Sequence, residues 1–151
     1  PAFHDVTEGV RQIVATSGIC NGIVSVSSHH TTCSVMTQED PFDVAASGLE
    51  TMHQDLVDAF ERLLPRQVPG GMYLHPGEKA LEFAAAHDED FDAAHNTDAH
   101  LRSAMIGRSE TIPLTDGVLD LGSFGRIWFV DFDQTRPRRR SVSVAIVGEP
   151  E

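Results

Sequence analysis

Two stretches of the chain repeat their apolar residues at the spacing of an amphipathic helix. In residues 5–17, Asp5 and Glu8 also have the spacing of a capping box. Residues 43–64 follow the breaker pair Asp40-Pro41 and carry the stronger pattern. Its apolar positions are Leu49, Met52, Leu56, Phe60 and Leu63. The pattern therefore predicts helices over 5–17 and 43–64.

The middle of the chain carries weaker helical signals. Residues 78–87 have the composition of a short helix and lead into an acidic loop at 88–92. Asn96 or Thr97 is a suitable N-cap for a further helix that runs to Ile106. We expect the residues just after this cap to lie in the first turn of that helix.

Alternating apolar and polar positions predict strands elsewhere. Residues 22–38 indicate two strands or one long bent strand, in which His30 and Thr32 share the parity of the valines and Thr31 faces the other way. Further strands are predicted at 111–114, 119–121, 126–132 and 141–147.

The order of these elements favours an α+β fold. Helices and strands are mixed without regular strand–helix–strand alternation, which disfavours a doubly wound parallel sheet. We therefore predict a single domain over 1–151, with a β-rich core of mixed or antiparallel sheet, or a sandwich, and flanking helices.

Composition and charge narrow the choice of partners. The chain has 151 residues, 40% of them hydrophobic, and a formal net charge of −12. Such a charge disfavours nucleic acid and anionic membrane as partners. No apolar run is long enough to span a bilayer and no leader pattern is visible, so we expect a cytoplasmic protein. Cys20 and Cys33 are expected to be reduced thiols.

Three of the eight histidines are distinguished by their local sequence. His30 precedes two threonines, His75 lies in a turn with Pro76, and His100 lies in the first turn of a predicted helix. The positive end of the helix dipole disfavours imidazolium, so His100 is expected to be neutral. A neutral imidazole can ligate a metal, and the free N–H groups of the same helix start can receive a phosphate. For the other histidines, a surface or packing role is the better interpretation; they include His4, His53, His87 and His95.

Other polar residues near these histidines are candidates for chemistry. Glu39 ends a predicted strand and is a candidate general base, with a solvated turn as its alternative. Asp98 is a candidate to hold a histidine in one tautomer, and Asn96 is a candidate catalytic residue at the same helix start; helix capping is the alternative for each. Arg138 and Arg140, in an arginine-rich run, are candidates for phosphate contacts, with a solvated turn as theirs.

Common catalytic motifs are absent from the sequence. It contains no Walker A or GxGxxG loop, and neither GxSxG nor SxxK. These absences disfavour a P-loop nucleotidase, a nicotinamide enzyme and an α/β-hydrolase.

The ordered set of short motifs resembles the YjbQ-like family, also called the secondary thiamine-phosphate synthase family. The resemblance extends from about Ser17 to Gly148. The residues that carry it are Ser17-Gly18-Ile19, Asn21-Gly22, His30-Thr31-Thr32-Cys33-Ser34, Glu39, Tyr73, His75, Asn96, Ala99-His100-Leu101, Gly107, Ser109, Pro113, Gly117, Leu121-Gly122, Pro137-Arg138 and Arg140.

The resemblance implies an α+β fold assembled as a homotrimer. It implies a pocket built from the His-Thr-Thr segment, the lone loop histidine and the helix start with His100. It also implies a weak thiamine-phosphate synthase activity, in which a pyrimidine diphosphate is joined to a thiazole phosphate and pyrophosphate is released.

The sequence departs from the family pattern in places that affect the substrate more than the fold. Phe124-Gly125 replaces Trp-Gln, and Asp133–Arg136 is a longer stretch than the usual Asp-Gly. The segment 78–95 is long and acidic, and the family's strand before the first helix is not evident.

Several readings of the candidate site remain open at this point. One expectation is a divalent metal, zinc or magnesium, held by His30, His75 and His100. The other is direct contact of these histidines with phosphate, together with Thr31, Thr32 and the arginines. The leading hypothesis is an enzyme acting on a small phosphorylated substrate. The alternatives are a metal-dependent hydrolase with Glu39 or Asp98 as its base, and a non-enzymatic trimeric binding protein.

Overall fold

The strands of the protein form two antiparallel sheets. The computed structural model describes residues 1–40, 42–87 and 89–150. Its strands are β1 (Ala2–Asp5), β2 (Ile19–Ser27), β3 (Cys33–Glu39), β4 (Ser109–Thr115), β5 (Val118–Leu119), β6 (Gly125–Asp131) and β7 (Ser143–Pro150). One sheet has the order β1-β6-β3 and the other the order β5-β4-β2-β7. The predicted α+β fold with a β-rich core is confirmed.

Helices flank the two sheets. They are α1 (Thr7–Ser17), α2 (Thr51–Leu63), α3 (Glu78–Ala86) and α4 (Thr97–Ile106), with a short 3-10 helix at Phe91–Ala94. The helix predicted to end at Ile106 is therefore confirmed, and α3 matches the helix predicted over 78–87. The predicted acidic loop includes Asp88, which lies outside the described residues, and the 3-10 helix occupies its later part. No helix in the described part of the chain is both long and apolar enough to cross a membrane.

The main core lies between the two sheets and is closed on one side by α1. Val24 and Val26 of β2 face Val35 of β3 and Phe129 of β6 across this core. The remaining buried members are Val10, Val14, Cys33, Ile112, Leu114, Leu119 and Ile127. Burial raises the pKa of the Cys33 thiol to about 12, so this cysteine stays protonated and packs as a small apolar residue.

A second core lies on the outer face of the three-stranded sheet. It contains Trp128 and Val130 of β6, Phe132, Phe60 of α2 and Ala99 of α4. Since alternate residues of β6 belong to the two cores, this central strand holds the layers together.

The chain crosses from one sheet to the other between β2 and β3. Two strands rather than one bent strand are therefore present, and they pair with different neighbours. The predicted shared face of His30 and Thr32 with the β2 valines is wrong, because β2 ends at Ser27 and residues 28–32 are not in a strand. In this crossing the Cys33 amide donates to the His30 carbonyl at 3.1 Å, which closes a turn.

The strongest predicted helix begins later than its pattern indicated. Residues 43–50 precede α2 in a hydrogen-bonded loop, in which Val44 and Glu50 form an isolated bridge and the Thr51 amide donates to the Asp43 carbonyl at 3.0 Å. Gly48 has a φ of 89°, a conformation incompatible with a helix. The predicted breaker residue Pro41 lies outside the described residues.

The start of the chain also differs from the expectation. A strand, β1, does precede the first helix, and its residues pair with β6 from Ala2↔Asp131 to Asp5↔Trp128. Helix α1 begins at Thr7 rather than Asp5, because Asp5 is held in the sheet and its carboxylate accepts the Thr7 amide at 2.8 Å.

His53 of α2 is packed in the second core without a full set of hydrogen bonds. Its ring stacks on Phe3 at 4.2 Å between centroids and meets Trp128 edge-on at 4.3 Å. Its Nδ1 lies 3.3 Å from Glu50, and its Nε2 has no partner among the described residues. Burial lowers the pKa of His53, because a charged ring would be poorly solvated there.

We expect the substitution His53→Phe to weaken the acid sensitivity of the fold. Below the ordinary histidine pKa of about 6.5, the unfolded chain takes up a proton that buried His53 refuses, so stability falls as the pH falls. The wild type should lose up to about 1.4 kcal/mol per pH unit from this residue between pH 6.5 and its lowered pKa.

Urea unfolding at pH 7.5 and pH 5.5 measures this loss. Glu50 and the other shifted groups are present in both proteins, so their own pH dependence cancels to first order. His87→Phe changes an exposed histidine and should leave the wild-type pH dependence in place. Equal losses for the wild type and His53→Phe would contradict the assignment.

Candidate functional site

The start of α4 is fixed by a side chain that does not cap it. Asn96 occupies the N-cap position but makes no side-chain cap hydrogen bond. Its Nδ2 instead donates to Asp133 Oδ2 at 2.9 Å. Simple helix capping therefore does not describe Asn96, which ties the helix to the segment after β6.

Asp133 collects donors from several segments. Besides Asn96, its carboxylate accepts the amide and hydroxyl of Thr135, at 2.9 and 2.6 Å, and Nη1 of Arg138 at 2.6 Å. Burial alone would raise the pKa of this carboxyl, but the hydrogen bonds from Thr135 and Asn96 and the charge of Arg138 together lower it. Asp133 is therefore ionised and holds Arg138 in place.

The loop that carries His75 is anchored to α4 through its backbone. The His75 carbonyl accepts from Thr97 Oγ1 at 2.9 Å and from the side-chain amide of buried Gln67. The other end of the Gln67 amide accepts the Thr97 N–H at 2.6 Å. Gln67 thus holds the His75 loop against the start of α4. It also occupies the Thr97 N–H group, which would otherwise be available to a bound anion.

His75 and His100 come together at this point. Their ring centroids are 6.2 Å apart and the planes are nearly perpendicular, at 85°. His100 is half-buried and His75 is exposed. Burial lowers the pKa of His100 and the charges of His75 and Arg138 lower it further, against a backbone hydrogen bond to Thr31 and the Asp133 carboxylate. His100 is therefore neutral near pH 7.

The segment with His30 lies beside this pair, but the His30 ring is hydrogen-bonded to a different segment. His30 Nε2 accepts the Ser141 amide at 3.1 Å, so its lone pair is directed at the backbone. Thr31 is exposed in the turn, and its backbone contacts His100. Thr32 is buried and its hydroxyl accepts from Arg140 Nη2 at 3.2 Å.

Three of the four arginines in the arginine-rich run form ion pairs, whereas Arg139 is exposed. Arg140 binds Asp131 through two nitrogens, at 2.6 and 3.0 Å. Arg136 contacts Glu89 at 2.6 Å and Arg138 contacts Asp133. The charge of Arg138 acts on His100. Arg140 is largely committed to Asp131 and Thr32.

Two predicted site residues are placed in other roles. Glu39 lies at the far end of β3 from Cys33, about 20 Å along the strand, so the structure does not bring it to the histidines. Asp98 is buried, accepts the Gln67 amide at 3.2 Å and lies 3.4 Å from Arg102. Its contacts tie the start of α4 to the loop at Gln67 and to Arg102 of the same helix, and among the described residues they do not orient a histidine.

The described donors do not fit a three-ligand metal centre. Across residues 1–40, 42–87 and 89–150, no three or more His, Cys, Asp or Glu side chains are arranged to hold an ion. The rings of His75 and His100 approach each other, while Nε2 of His30 accepts the Ser141 amide. Zinc or magnesium bound by His30, His75 and His100 stays a prediction.

Comparison with known proteins identifies the family of the chain. A family model described as UPF0047 protein YjbQ-like matches residues 1–149. The chain belongs to this YjbQ-like family. The resemblance identified from the short motifs is therefore confirmed over nearly the whole chain.

Members of the YjbQ-like family from distant organisms match almost end to end. A UPF0047 protein of Methanothermobacter thermautotrophicus is 30% identical over 146 residues, covering 97% of this chain and 82% of the relative. A YjbQ/UPF0047 family crystal structure from Clostridium acetobutylicum superposes with a TM-score of 0.73 at 27% identity, covering 97% and 91% of the two chains. An Aeropyrum pernix structure gives 0.68 at 28% identity, with 97% and 89% covered. These names state no reaction, so the function has to be argued from the site.

Two residues that build the site were not singled out from the sequence. Asp133 follows the apolar run of β6 and lies three residues before Arg136, the first of the arginines, and this position is the signal that could have marked it. Gln67 has no such signal, because its partners His75 and Thr97 are brought to it only by the fold.

We expect Asp133→Ala to destabilise the fold and loosen the site. The change leaves Asn96 and Arg138 without their acceptor, and losing one member of such a buried network costs about 2–4 kcal/mol. Urea unfolding at pH 7 measures the loss. Asp120→Ala, at an exposed aspartate directly after β5, should change stability by less than about 0.5 kcal/mol. Equal unfolding midpoints for the two variants would refute the role given to Asp133.

Proposed function

We propose that the protein is an enzyme that acts on a phosphorylated small molecule at the site formed by His75, His100 and Arg138. The observation that supports this most strongly is the neutral His100 ring beside His75, with an arginine held close by a buried aspartate. Neutral imidazole can exchange protons near pH 7, and guanidinium binds phosphate oxygens in a planar fork. The combination suits a reaction with a phosphate or diphosphate group.

Within that class, the favoured reaction is the transfer of a pyrimidine from its diphosphate to a thiazole phosphate. Pyrophosphate leaves with the bonding electrons, so negative charge grows on its oxygens. Arg138 would neutralise that charge and His100 or His75 would donate a hydrogen bond to it. Thr31, exposed in the turn that contacts His100, is the threonine better placed for phosphate; the Thr32 hydroxyl is occupied by Arg140.

The alternative readings receive less support from the contacts. A hydrolase with Glu39 as its base is disfavoured because Glu39 lies at the far end of β3 from the histidines. Asp98 is disfavoured as the base because it accepts the Gln67 amide and pairs with Arg102. A non-enzymatic trimeric binding protein is consistent with the structural hydrogen bond of His30, but it gives no reason for the paired rings of His75 and His100. Assembly as a homotrimer stays a prediction.

We expect His100→Ala to lower the rate of thiamine-phosphate formation by at least about 100-fold, because it removes the proton-exchanging ring. The measurement is chromatographic detection of thiamine phosphate after incubation with both substrates. His87→Ala, which changes an exposed histidine on α3's C-terminal side, should retain the wild-type rate. Wild-type turnover by His100→Ala would remove His100 from the mechanism.

Omitting the thiazole phosphate separates transfer from hydrolysis. A transferase releases no pyrophosphate from the pyrimidine diphosphate alone, because the acceptor is missing. In ¹⁸O-labelled water a hydrolase would release products that carry solvent oxygen, which mass spectrometry detects. We expect no such release, and steady labelled product without the acceptor would support the hydrolase instead.

A further inference from the structure

A small pocket lies at the end of β3 that is remote from the histidines. It has a volume of about 190 Å³ and is lined by Glu39, Asp40, Phe42, Thr51 and Met52. It is formed where the segment after β3 meets the first turn of α2. Since a water molecule takes up about 30 Å³ in the liquid, the pocket has room for a ligand of roughly six or seven heavy atoms.

The apolar wall of this pocket is an exposed phenyl ring. Phe42 is 79% exposed, and the 56% exposed Phe124 meets its ring edge-on at 6.3 Å between centroids. The Asp40 amide donates to the Phe124 carbonyl at 2.8 Å, which ties the two segments together. Two adjoining rings left in water forgo the burial that normally stabilises them, which is typical of a binding surface.

The pocket carries negative charge that the protein neutralises only in part. Arg126 binds Asp40 through two nitrogens, at 3.0 and 2.9 Å. None of the ion pairs among the described residues involves Glu39, which is exposed. Burial and the charges of Asp40 and Asp5 raise the pKa of Glu50, the residue before Thr51. Carboxylates therefore dominate the potential at this end of the sandwich.

The start of α2 offsets this charge without reversing it. A helix N-terminus carries about half a positive charge. Asp43 lies at this terminus, because its carbonyl accepts the Thr51 amide, and its exposed carboxylate joins no ion pair of the described residues. Glu39 and Asp43 together outweigh the helix end, so the pocket favours a cation.

The walls of the pocket suit an organic cation better than a metal ion. Across the described ranges of the chain, no three or more His, Cys, Asp or Glu side chains are arranged to hold an ion. Phe42 and Met52 present carbon and sulfur surface in place of oxygen ligands. A methylated ammonium group spreads its charge over methyl groups that pack against aromatic faces and thioethers.

We propose that this pocket binds the methylated ammonium group of a small organic cation, with Phe42 as its aromatic face and Glu39 as its balancing carboxylate. Phe124 supports the Phe42 ring from the side. The reaction proposed at His100 uses none of these residues. Glu39 lies about 20 Å along β3 from Cys33, so binding here is independent of that reaction.

The test uses choline as the probe, and 3,3-dimethyl-1-butanol as a neutral molecule of the same shape. Methyl NMR spectra of the full chain follow the Met52 methyl group during each titration. We expect a saturable shift with choline and binding of the neutral analogue that is weaker by at least about fivefold. The methyl groups of exposed Met72 and Met105 should not respond.

Two outcomes of this titration would overturn the proposal. One is a Met52 resonance that stays constant throughout the choline titration, or that moves equally with sodium chloride. The other is equal affinity for choline and its neutral analogue, since the proposal requires the charge.

Matched substitutions locate the probe. Glu39→Gln should weaken choline binding by at least about fivefold, because it removes the balancing charge, whereas Glu82→Gln on α3 should leave it unchanged. Phe42→Leu keeps apolar bulk but loses the aromatic face and should weaken binding by about threefold or more. Phe83→Leu, at another exposed phenylalanine, should have no effect.

All four of these positions are exposed, so the variants are expected to fold. Wild-type affinity in both Glu39→Gln and Phe42→Leu would refute the proposal. His100→Ala should bind choline as the wild type does. Binding lost in His100→Ala but kept in Glu39→Gln would place the probe at the histidines instead.

Discussion

A single buried carboxylate, Asp133, fixes the relation between the helix start and the crossing from β6 to β7. Burying a charge is costly unless donors surround it, and Asn96, Thr135 and Arg138 supply them from both segments. The same carboxylate sets the position of Arg138 and adds to the electrostatic environment of His100. The geometry of the candidate site therefore depends on a carboxylate that has no contact with substrate in the proposed reaction.

Local sequence patterns predicted the parts of the site whose geometry is set within a few residues. The start of the helix that carries His100 was predictable because helix periodicity acts within one or two turns, although the Asn96 side chain makes no cap hydrogen bond there. The packing interpretation of His53 also agrees with the structure, in which it is enclosed by Phe3 and Trp128. In the first case the relevant neighbours are adjacent in sequence. In the second, the neighbours need only be apolar, whichever residues they are.

Sequence patterns failed where the outcome depends on which distant segments meet. The face assigned to His30 assumed that β2 continues, whereas the chain leaves that sheet after Ser27 to join the other one. No sequence pattern marks Gln67, because its amide hydrogen bonds to His75 and Thr97 form only when the loops pack together. Glu39 was separated from the histidines by the direction of β3, which the sequence alone does not give.

The crossings at residues 28–32 and 132–142 lie at the same end of the sandwich, since Cys33 pairs with Asp131 and Ser27 with Ser143. The β-turn at Asp116-Gly117 lies at the opposite end, because Leu114 pairs with Gly22. The candidate site at the two crossings is thus separated from the Asp116-Gly117 turn by the length of the strands. A fluorescent label or an inserted peptide at that turn would report on the protein from a distance, without entering the arginine and histidine cluster.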